Sequence, residues 1–313
     1  MEQFILQCEV GKENQILPYC DAIILGANKS FSTSFLRILN SYAYHFGGLS
    51  VGYVDLPDDP GHQQLLLRHC IQRGSKVLLL GATAAHYQSL QNSVSSLHLI
   101  SNRVCGLDWG KIVHHLGFQR HLVSLENLHE LEQISADSAS LGLMTEMFGN
   151  VEASLRTAHA LHVDAAVCKS AHLPGHEGNE PSGLDVEQLI QLVRFASHSA
   201  NLSIVGFGVD EKATAEVITI QLAKLYASCV WYFLEGLHQG SHTAVTARDI
   251  TFVNLRDYDE ILEFAHDEKS QKWWVRIQQD QESNFIACTA TDHEEAVKGS
   301  LTSRIHRLLF ELR

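Results

Sequence analysis

Residues Lys76–Gly81 read KVLLLG, and they give the clearest indication of the fold. Four consecutive apolar residues precede a glycine, and about ten residues with helical periodicity follow it. A short, continuous apolar run of this kind is typical of a strand that is buried on both faces of a parallel sheet. The segment therefore predicts one strand–helix unit of an α/β protein.

Similar units occur on both sides of this segment. The predicted strands are Asp21–Gly26, Ser50–Leu56, Leu97–Asn102, Ser140–Thr145, Ala165–Ser170 and Leu202–Val209. The predicted helices are Phe31–Phe46, His62–Arg73, Val151–Leu161, Asp185–His198 and a long helix from about Ala213 to Gly236. Parallel strands joined by right-handed helical crossovers bury both faces of one sheet. We therefore predict a three-layer α/β/α fold with a mainly parallel sheet.

The pattern changes after Gly240. Ile250–Asn254, Ile261–Ala265 and Trp273–Ile277 alternate like half-buried strands, and a helix is predicted at Leu301–Leu312. This part is too short to bury a large core alone. We therefore predict that residues 240–313 form a short β/α extension packed on the rest, so that residues 1–313 make a single domain.

Composition narrows the range of partners and locations. The chain has 36 acidic and 23 basic residues, a formal charge of −13, which disfavours nucleic acid and anionic membranes as partners. No signal peptide or transmembrane helix is expected. Seven scattered cysteines without a CxxC pair suit reduced thiols, so we expect a cytoplasmic location. No GxGxxG, Walker or GxSxG motif follows any predicted strand, which disfavours nucleotide binding and serine-hydrolase chemistry.

The strand ends, taken in order, resemble those of the ureohydrolase superfamily of arginase, agmatinase and formimidoylglutamase. Lys76–Ser89 is similar to the strand that ends in the family's Gly-Gly-x-His loop. Leu97–Leu107 is similar to the strand that bears Asp-x-His-x-Asp, and Val163–Gly183 to the strand that bears Asp-x-Asp. Gly206–Glu211 resembles the strand that ends in a substrate-binding glutamate. The tail, through Val230–Gly236 and Lys272–Ile277, resembles a divergent bacterial formimidoylglutamase-like branch.

The resemblance implies two manganese ions that share a hydroxide, which attacks an amidine or guanidine carbon. This chain departs from the ligand pattern, because the corresponding positions hold Ala84, Ser101, Arg103, Cys105, Cys168 and Ser170. Glu211 is the one position that matches a functional acidic residue of the family, the substrate-binding glutamate. Asp108 and Asp164 would supply a carboxylate only through a local shift of the alignment, and His86 would reach the site only if the next helix did not turn it away. Two divalent ions need several carboxylates. The sequence therefore predicts no metal, no cofactor and no identifiable catalytic residue.

Two hypotheses concern the residues that stand at the ligand positions. In the first, Arg103 pairs with Glu211 in place of the lost metal charge, and the alternative is that Arg103 is solvated. In the second, Cys105 and Cys168 lie together and hold a soft ion such as zinc or oxidise reversibly. The favoured alternative is that both cysteines fill space left by the metals.

His114, His115, His159 and His162 are predicted to be solvated or capping residues.

Three functions follow from the resemblance. The favoured one is a ureohydrolase-fold protein without hydrolase activity, a pseudoenzyme that binds a small guanidino or amidino metabolite or assembles with an active paralogue. The alternative is a metal-dependent C–N hydrolase of the formimidoylglutamase or arginase type, which would use manganese. In the third, the protein is a scaffold in which interfaces carry the function. Closed homo-oligomers are the expected assembly.

Overall fold

The computed structural model describes residues 5–8, 19–104, 112–135, 137–176, 178–209, 216–240, 249–255, 257–279 and 282–310. Most of these residues form one large parallel sheet with helices on both faces, followed by a smaller antiparallel sheet. The predicted α/β class with a mainly parallel sheet is confirmed.

The large sheet has nine strands in the order β1-β3-β2-β4-β9-β8-β5-β6-β7, and every neighbouring pair is parallel. The strands are β1 Ile5–Cys8, β2 Ala22–Gly26, β3 Val51–Asp55, β4 Lys76–Leu80, β5 Ser96–Ile100, β6 Ile112–Phe118, β7 Ala139–Ser140, β8 Ala160–Val163 and β9 Ile204–Phe207.

The helices of this part are α1 Lys29–Leu39, α2 Pro60–Gln72, α3 Ala84–Ser89, α4 Leu125–Ile134, α5 Leu141–Glu146, α6 Phe148–Leu155, α7 Val186–Ser197 and α8 Glu216–Gln239. They leave a separate core on each face of the sheet. Within β4, Leu78 packs in the core with α1, α7 and α8, whereas Leu79 packs in the core with α2 and α3. Neighbouring strand residues point to opposite faces, so a strand buried on both sides must be apolar throughout.

The C-terminal sheet is an antiparallel meander of β10 Asp249–Leu255, β11 Glu260–Asp267, β12 Lys272–Gln279 and β13 Glu282–Cys288. Helices α9 Ala290–Val297 and α10 Ser303–Phe310 close it over a small core that includes Phe264, Val275 and Ile305. The three predicted strands of this region are confirmed, and β13 was not predicted. Ala153 of α6 packs against Trp274 and Ala287, which joins the two sheets.

The prediction was wrong in the middle of the chain. Of the predicted strand at residues 140–145, only Ser140 is in a strand, because β7 ends at Ser140 and α5 begins at Leu141. Helix α6 ends at Leu155, and the next strand is Ala160–Val163 rather than Ala165–Ser170. The physical cause is Asp164, whose carboxylate accepts a hydrogen bond from the Ala166 N–H at 2.9 Å and turns the chain into a 3-10 helix at Ala165–Val167.

Helix α1 is also shorter than predicted, ending at Leu39. Strand β6 was missed, because His114 and His115 interrupt its apolar pattern.

Helix α8 is the only described helix whose length and composition would allow it to cross a membrane, over Val217–Gln239. It packs against α1 and α7, and Tyr226 and Phe233 on it are buried in the core of that face. This packing is that of a core helix in an α/β layer.

Candidate functional site

The carboxyl ends of four adjacent strands surround a cavity of about 570 Å³, called here the rim cavity. The register aligns the last residues of β4, β9, β8 and β5, which are Leu80, Phe207, Val163 and Ile100. The chain therefore leaves all four strands at one level, and open parallel sheets bind ligands at this edge. The cavity is lined by Ala82, Asn102, Arg103, His162, Asp164, Ala166, His176, Gly178, Gly208 and Val209.

Asp164 is the first residue after β8, and both of its oxygens accept hydrogen bonds. The Ala166 N–H donates to Oδ1 at 2.9 Å, and the Ser101 hydroxyl donates to Oδ2 at 3.3 Å. Ser101 in turn accepts from the Arg103 N–H at 3.3 Å. These bonds fix the carboxylate in the wall of the rim cavity without neutralising it.

His162 lies two residues earlier, and Tyr87 of α3 holds its ring. The Tyr87 hydroxyl donates to the carbonyl oxygen of Leu161 at 3.2 Å and lies 3.0 Å from His162 Nδ1. Since the hydroxyl proton is used on the carbonyl, this pattern favours an Nδ1–H that donates to the Tyr87 oxygen. Nε2 is then an unprotonated acceptor in the cavity wall. Burial lowers the pKa of His162 to about 4, against the opposite effect of the Asp164 charge, so the ring is neutral at pH 7.

Glycine in β9 makes room for this contact. A Cβ on Gly206 would overlap the Tyr87 hydroxyl and the Ala82 methyl group. The close approach of β9 to α3 therefore depends on the absence of a side chain at position 206.

The solved structures of three enzymes are among those that share this architecture. Formimidoylglutamase from Bacillus subtilis aligns with a TM-score of 0.55 and 13% identity, covering 71% of this chain and 88% of that one. Trypanosoma cruzi formiminoglutamase with manganese aligns with a TM-score of 0.60 and 11% identity, covering 71% and 94%. Bacillus subtilis arginase aligns with a TM-score of 0.51 and 10% identity, covering 68% and 97%. This chain has the arginase-like fold.

The predicted ureohydrolase resemblance is therefore confirmed at the level of the fold. No protein-family model matches the sequence, and no curated protein sequence does. At 10 to 13% identity the likeness concerns backbone architecture, and the side chains at the rim of this arginase-like sheet must be judged on their own geometry.

Of the residues predicted at ligand positions, Arg103 lines the rim cavity and Ser101 contacts Asp164 from beside it. Ala84 begins α3 with its side chain exposed, and it does not line the cavity. His86 is turned away, as anticipated, because its Nδ1 accepts from the Thr83 N–H at 3.0 Å.

Cys168 and Ser170 lie beyond the 3-10 turn that follows β8 and do not line the rim cavity. Cys168 is buried beside Leu184, and burial raises the pKa of its thiol to about 12. Cys105, Asp108 and Glu211 lie outside the described residues. The Arg103–Glu211 and Cys105–Cys168 pairings therefore stay predictions.

Sequence reasoning missed His162 as a wall residue of the site, and it considered Asp164 only with a local shift of the alignment. His162-Val163-Asp164 has the two-residue spacing of Asp-x-Asp at the end of a central strand, with histidine in the first position. Period-two alternation points both side chains in one direction. That spacing was the available signal, and placing the strand at Ala165–Ser170 concealed it.

The charges of the rim cavity do not fit a pair of manganese ions. Among its described wall residues, Asp164 is the single carboxylate and Arg103 brings a positive charge. Manganese ions prefer several oxygen ligands, and two of them carry four positive charges. One carboxylate leaves most of that charge unbalanced, so the described residues disagree with the two-manganese centre that the resemblance implies.

Proposed function

We propose that this protein is a non-hydrolytic member of the arginase-like fold that binds a small zwitterionic metabolite in its rim cavity. The observation that carries the proposal is that one anionic and one cationic residue, Asp164 and Arg103, both line a cavity of about 570 Å³. A ligand with an amidinium or guanidinium group and a carboxylate complements both charges.

Each charged side chain suits one end of such a ligand. Carboxylates accept paired hydrogen bonds from planar guanidinium and amidinium groups, and arginine donates paired hydrogen bonds to carboxylates. Asp164 is held by Ala166 and Ser101, so little side-chain entropy is lost when it binds a cation. The neutral Nε2 of His162 adds an acceptor.

Loss of hydrolysis follows from the same charges. A hydroxide nucleophile at neutral pH needs a strong Lewis acid to lower the pKa of water. The described wall offers one carboxylate for this purpose, and Arg103 repels a cation. We therefore expect the cavity to bind its ligand without activating water.

The first test measures metal and turnover. The protein, purified with added Mn²⁺, is analysed for bound metal and for release of ammonia, urea or formamide from formimidoylglutamate, arginine and agmatine. We expect less than one manganese per chain and no turnover. Two manganese ions per chain with turnover would overturn the proposal and establish a C–N hydrolase.

The second test measures binding by the shift in melting temperature with arginine and with agmatine, which has the guanidinium group but no carboxylate. We expect arginine to stabilise the wild type more than agmatine does. Arg103→Ala should abolish this difference, and Asp164→Asn should weaken both ligands. Arg120→Ala is the matched control, because Arg120 is exposed and outside the rim cavity. Equal shifts for both ligands in the wild type and in Arg103→Ala would contradict the assigned roles.

A further inference from the structure

A second group of polar side chains lies under helix α6, away from the rim cavity. His98 of β5 and His114 of β6 are partners in the parallel register, and their rings lie 4.5 Å apart. Asp137 lies just before β7, and one ligand atom from each of the three residues lies within 4.8 Å of the others. None of the three lines the rim cavity.

Serine hydroxyl groups hold one nitrogen of each histidine. Ser154 Oγ of α6 lies 3.0 Å from His98 Nε2, and Ser135 Oγ lies 2.6 Å from His114 Nδ1. His98 is fully buried, yet its Nδ1 has no hydrogen-bond partner among the described residues. An unsatisfied buried nitrogen costs free energy, and a bound ion is one of its explanations. Metal-bound histidines are commonly held through the second nitrogen in this way.

Asp137 connects the cluster to the C-terminal sheet and helices. Arg304 of α10 forms an ion pair with Asp137 Oδ1 through Nε, while its Nη2 lies 3.4 Å from Oδ2. Arg304 also donates to the carbonyl oxygen of Ala287 in β13 at 2.8 Å. The long contact to Oδ2 leaves one carboxylate oxygen able to accept a further partner.

A cavity of about 250 Å³ adjoins the cluster, and Asp137, Ser154, Arg304 and Arg307 are among its wall residues. This space would admit an ion and a water molecule. It lies between helices α5 and α6 of the large sheet and helix α10 of the C-terminal part.

We propose that His98, His114 and Asp137 form a zinc site that fastens the edge of the parallel sheet to the C-terminal part of the chain. Two imidazoles and one carboxylate, with a water from the adjoining cavity, make a tetrahedral set that suits Zn²⁺. The set is too small and too rich in nitrogen for Mn²⁺ or Mg²⁺, which prefer octahedral oxygen ligands. Asp137 binds the ion through Oδ2 and keeps Arg304 on Oδ1.

The test uses metal-free full-length protein titrated with Zn²⁺, with Mn²⁺ as comparator. We expect one Zn²⁺ per chain in the wild type and a rise in melting temperature with Zn²⁺ but not with Mn²⁺. Co²⁺ in the same site should give the visible d–d absorption of tetrahedral coordination. His114→Asn and Asp137→Asn should each weaken Zn²⁺ binding at least tenfold. Asp137→Asn keeps the shape of the side chain, so it tests the site even if the histidine variant fails to fold.

Two control variants test whether Zn²⁺ binds at this site and not elsewhere in the protein. His115→Asn changes the neighbouring buried histidine, which points to the opposite face of the same strand, and it should leave Zn²⁺ binding unchanged. Asp164→Asn removes the carboxylate of the rim cavity and should also leave it unchanged. A wild type that binds no Zn²⁺, binding that survives His114→Asn and Asp137→Asn, or binding lost in Asp164→Asn would each overturn the proposal.

Discussion

The guanidinium group of Arg156 donates a hydrogen bond to the carbonyl oxygen of Cys288 at 2.9 Å, which joins helix α6 to strand β13. Its Nε lies 2.8 Å from the Glu152 carboxylate, and the guanidinium lies over the Trp274 ring. The Arg156 side chain is 1% exposed. This buried cation is therefore a main connection between the two sheets.

Arg156→Met should lower the free energy of unfolding by about 3 kcal/mol, because it leaves the Glu152 carboxylate and the carbonyl oxygen buried without this donor. Lys272 stays within 3.0 Å of Glu152 and limits the loss. Urea denaturation measures the change. Arg276→Met is the control, because Arg276 pairs with Glu263 at a side-chain exposure of 37% and should cost less than about 1 kcal/mol. Equal losses for both variants would refute the special position of Arg156.

His86 should make the stability depend on pH below neutrality. Burial lowers the pKa of His86 in the folded protein, and its neutral Nδ1 accepts from Thr83 at the start of α3. Because the unfolded pKa is higher, its contribution is present above about pH 6.5 and is lost as the pH falls towards the folded pKa. His86→Gln keeps an acceptor in the capping box and does not titrate. Urea denaturation at pH 7.5 and pH 5.5 should show a smaller loss in this variant than in the wild type.

Gly236 marks the close crossing of helices α7 and α8. A Cβ at this position would overlap Ser197 Oγ, so Gly236→Ala should destabilise the protein by about 1–3 kcal/mol. In a Ser197→Ala background the main obstruction is absent, and alanine is favoured over glycine in a helix by about 1 kcal/mol. The second substitution should then cost clearly less than it does beside Ser197, although the Arg194 carbonyl oxygen still lies 3.3 Å from the added Cβ. A double-mutant cycle by thermal unfolding measures this coupling, and additive losses would contradict it.

Tyr87 should fix the tautomer of His162. In the wild type we expect Nδ1 to carry the proton and the ring to stay neutral down to about pH 4, because burial lowers its pKa. The ¹⁵N chemical shifts of the ring report both properties. Tyr87→Phe removes the acceptor for Nδ1–H and should populate the other tautomer. An Nε2–H signal in the wild type would show that the Tyr87 hydroxyl donates to the ring instead.

The sequence predicted best the strands that are buried on both faces of the sheet. Strands β2, β3, β4 and β9 are nearly pure apolar runs, so their positions were predicted to within a few residues. Strands β6 and β8 carry histidines that contact hydroxyl groups, such as Ser135 beside His114 and Tyr87 beside His162. Such partners come from distant parts of the chain, and a periodicity argument does not contain them.

The candidate site was predictable only where it directly follows an apolar strand. Arg103 follows an apolar strand and lines the rim cavity. His162 was missed, and Asp164 was considered only with a shifted alignment, because Asp164 ends its strand through a local bond to Ala166, several residues before the predicted strand end. His114 and His115 were predicted to be solvated or capping, but both belong to strand β6 and their side chains are largely buried.

The strands are apolar and buried, whereas the polar residues of the site follow the strand ends. This arrangement has an evolutionary consequence. Substitutions at exposed rim positions such as Arg103 change the chemistry of the rim while the interdigitated cores beneath keep their packing. A lineage with this architecture is free to exchange one ligand for another, or to abandon catalysis, at little thermodynamic risk.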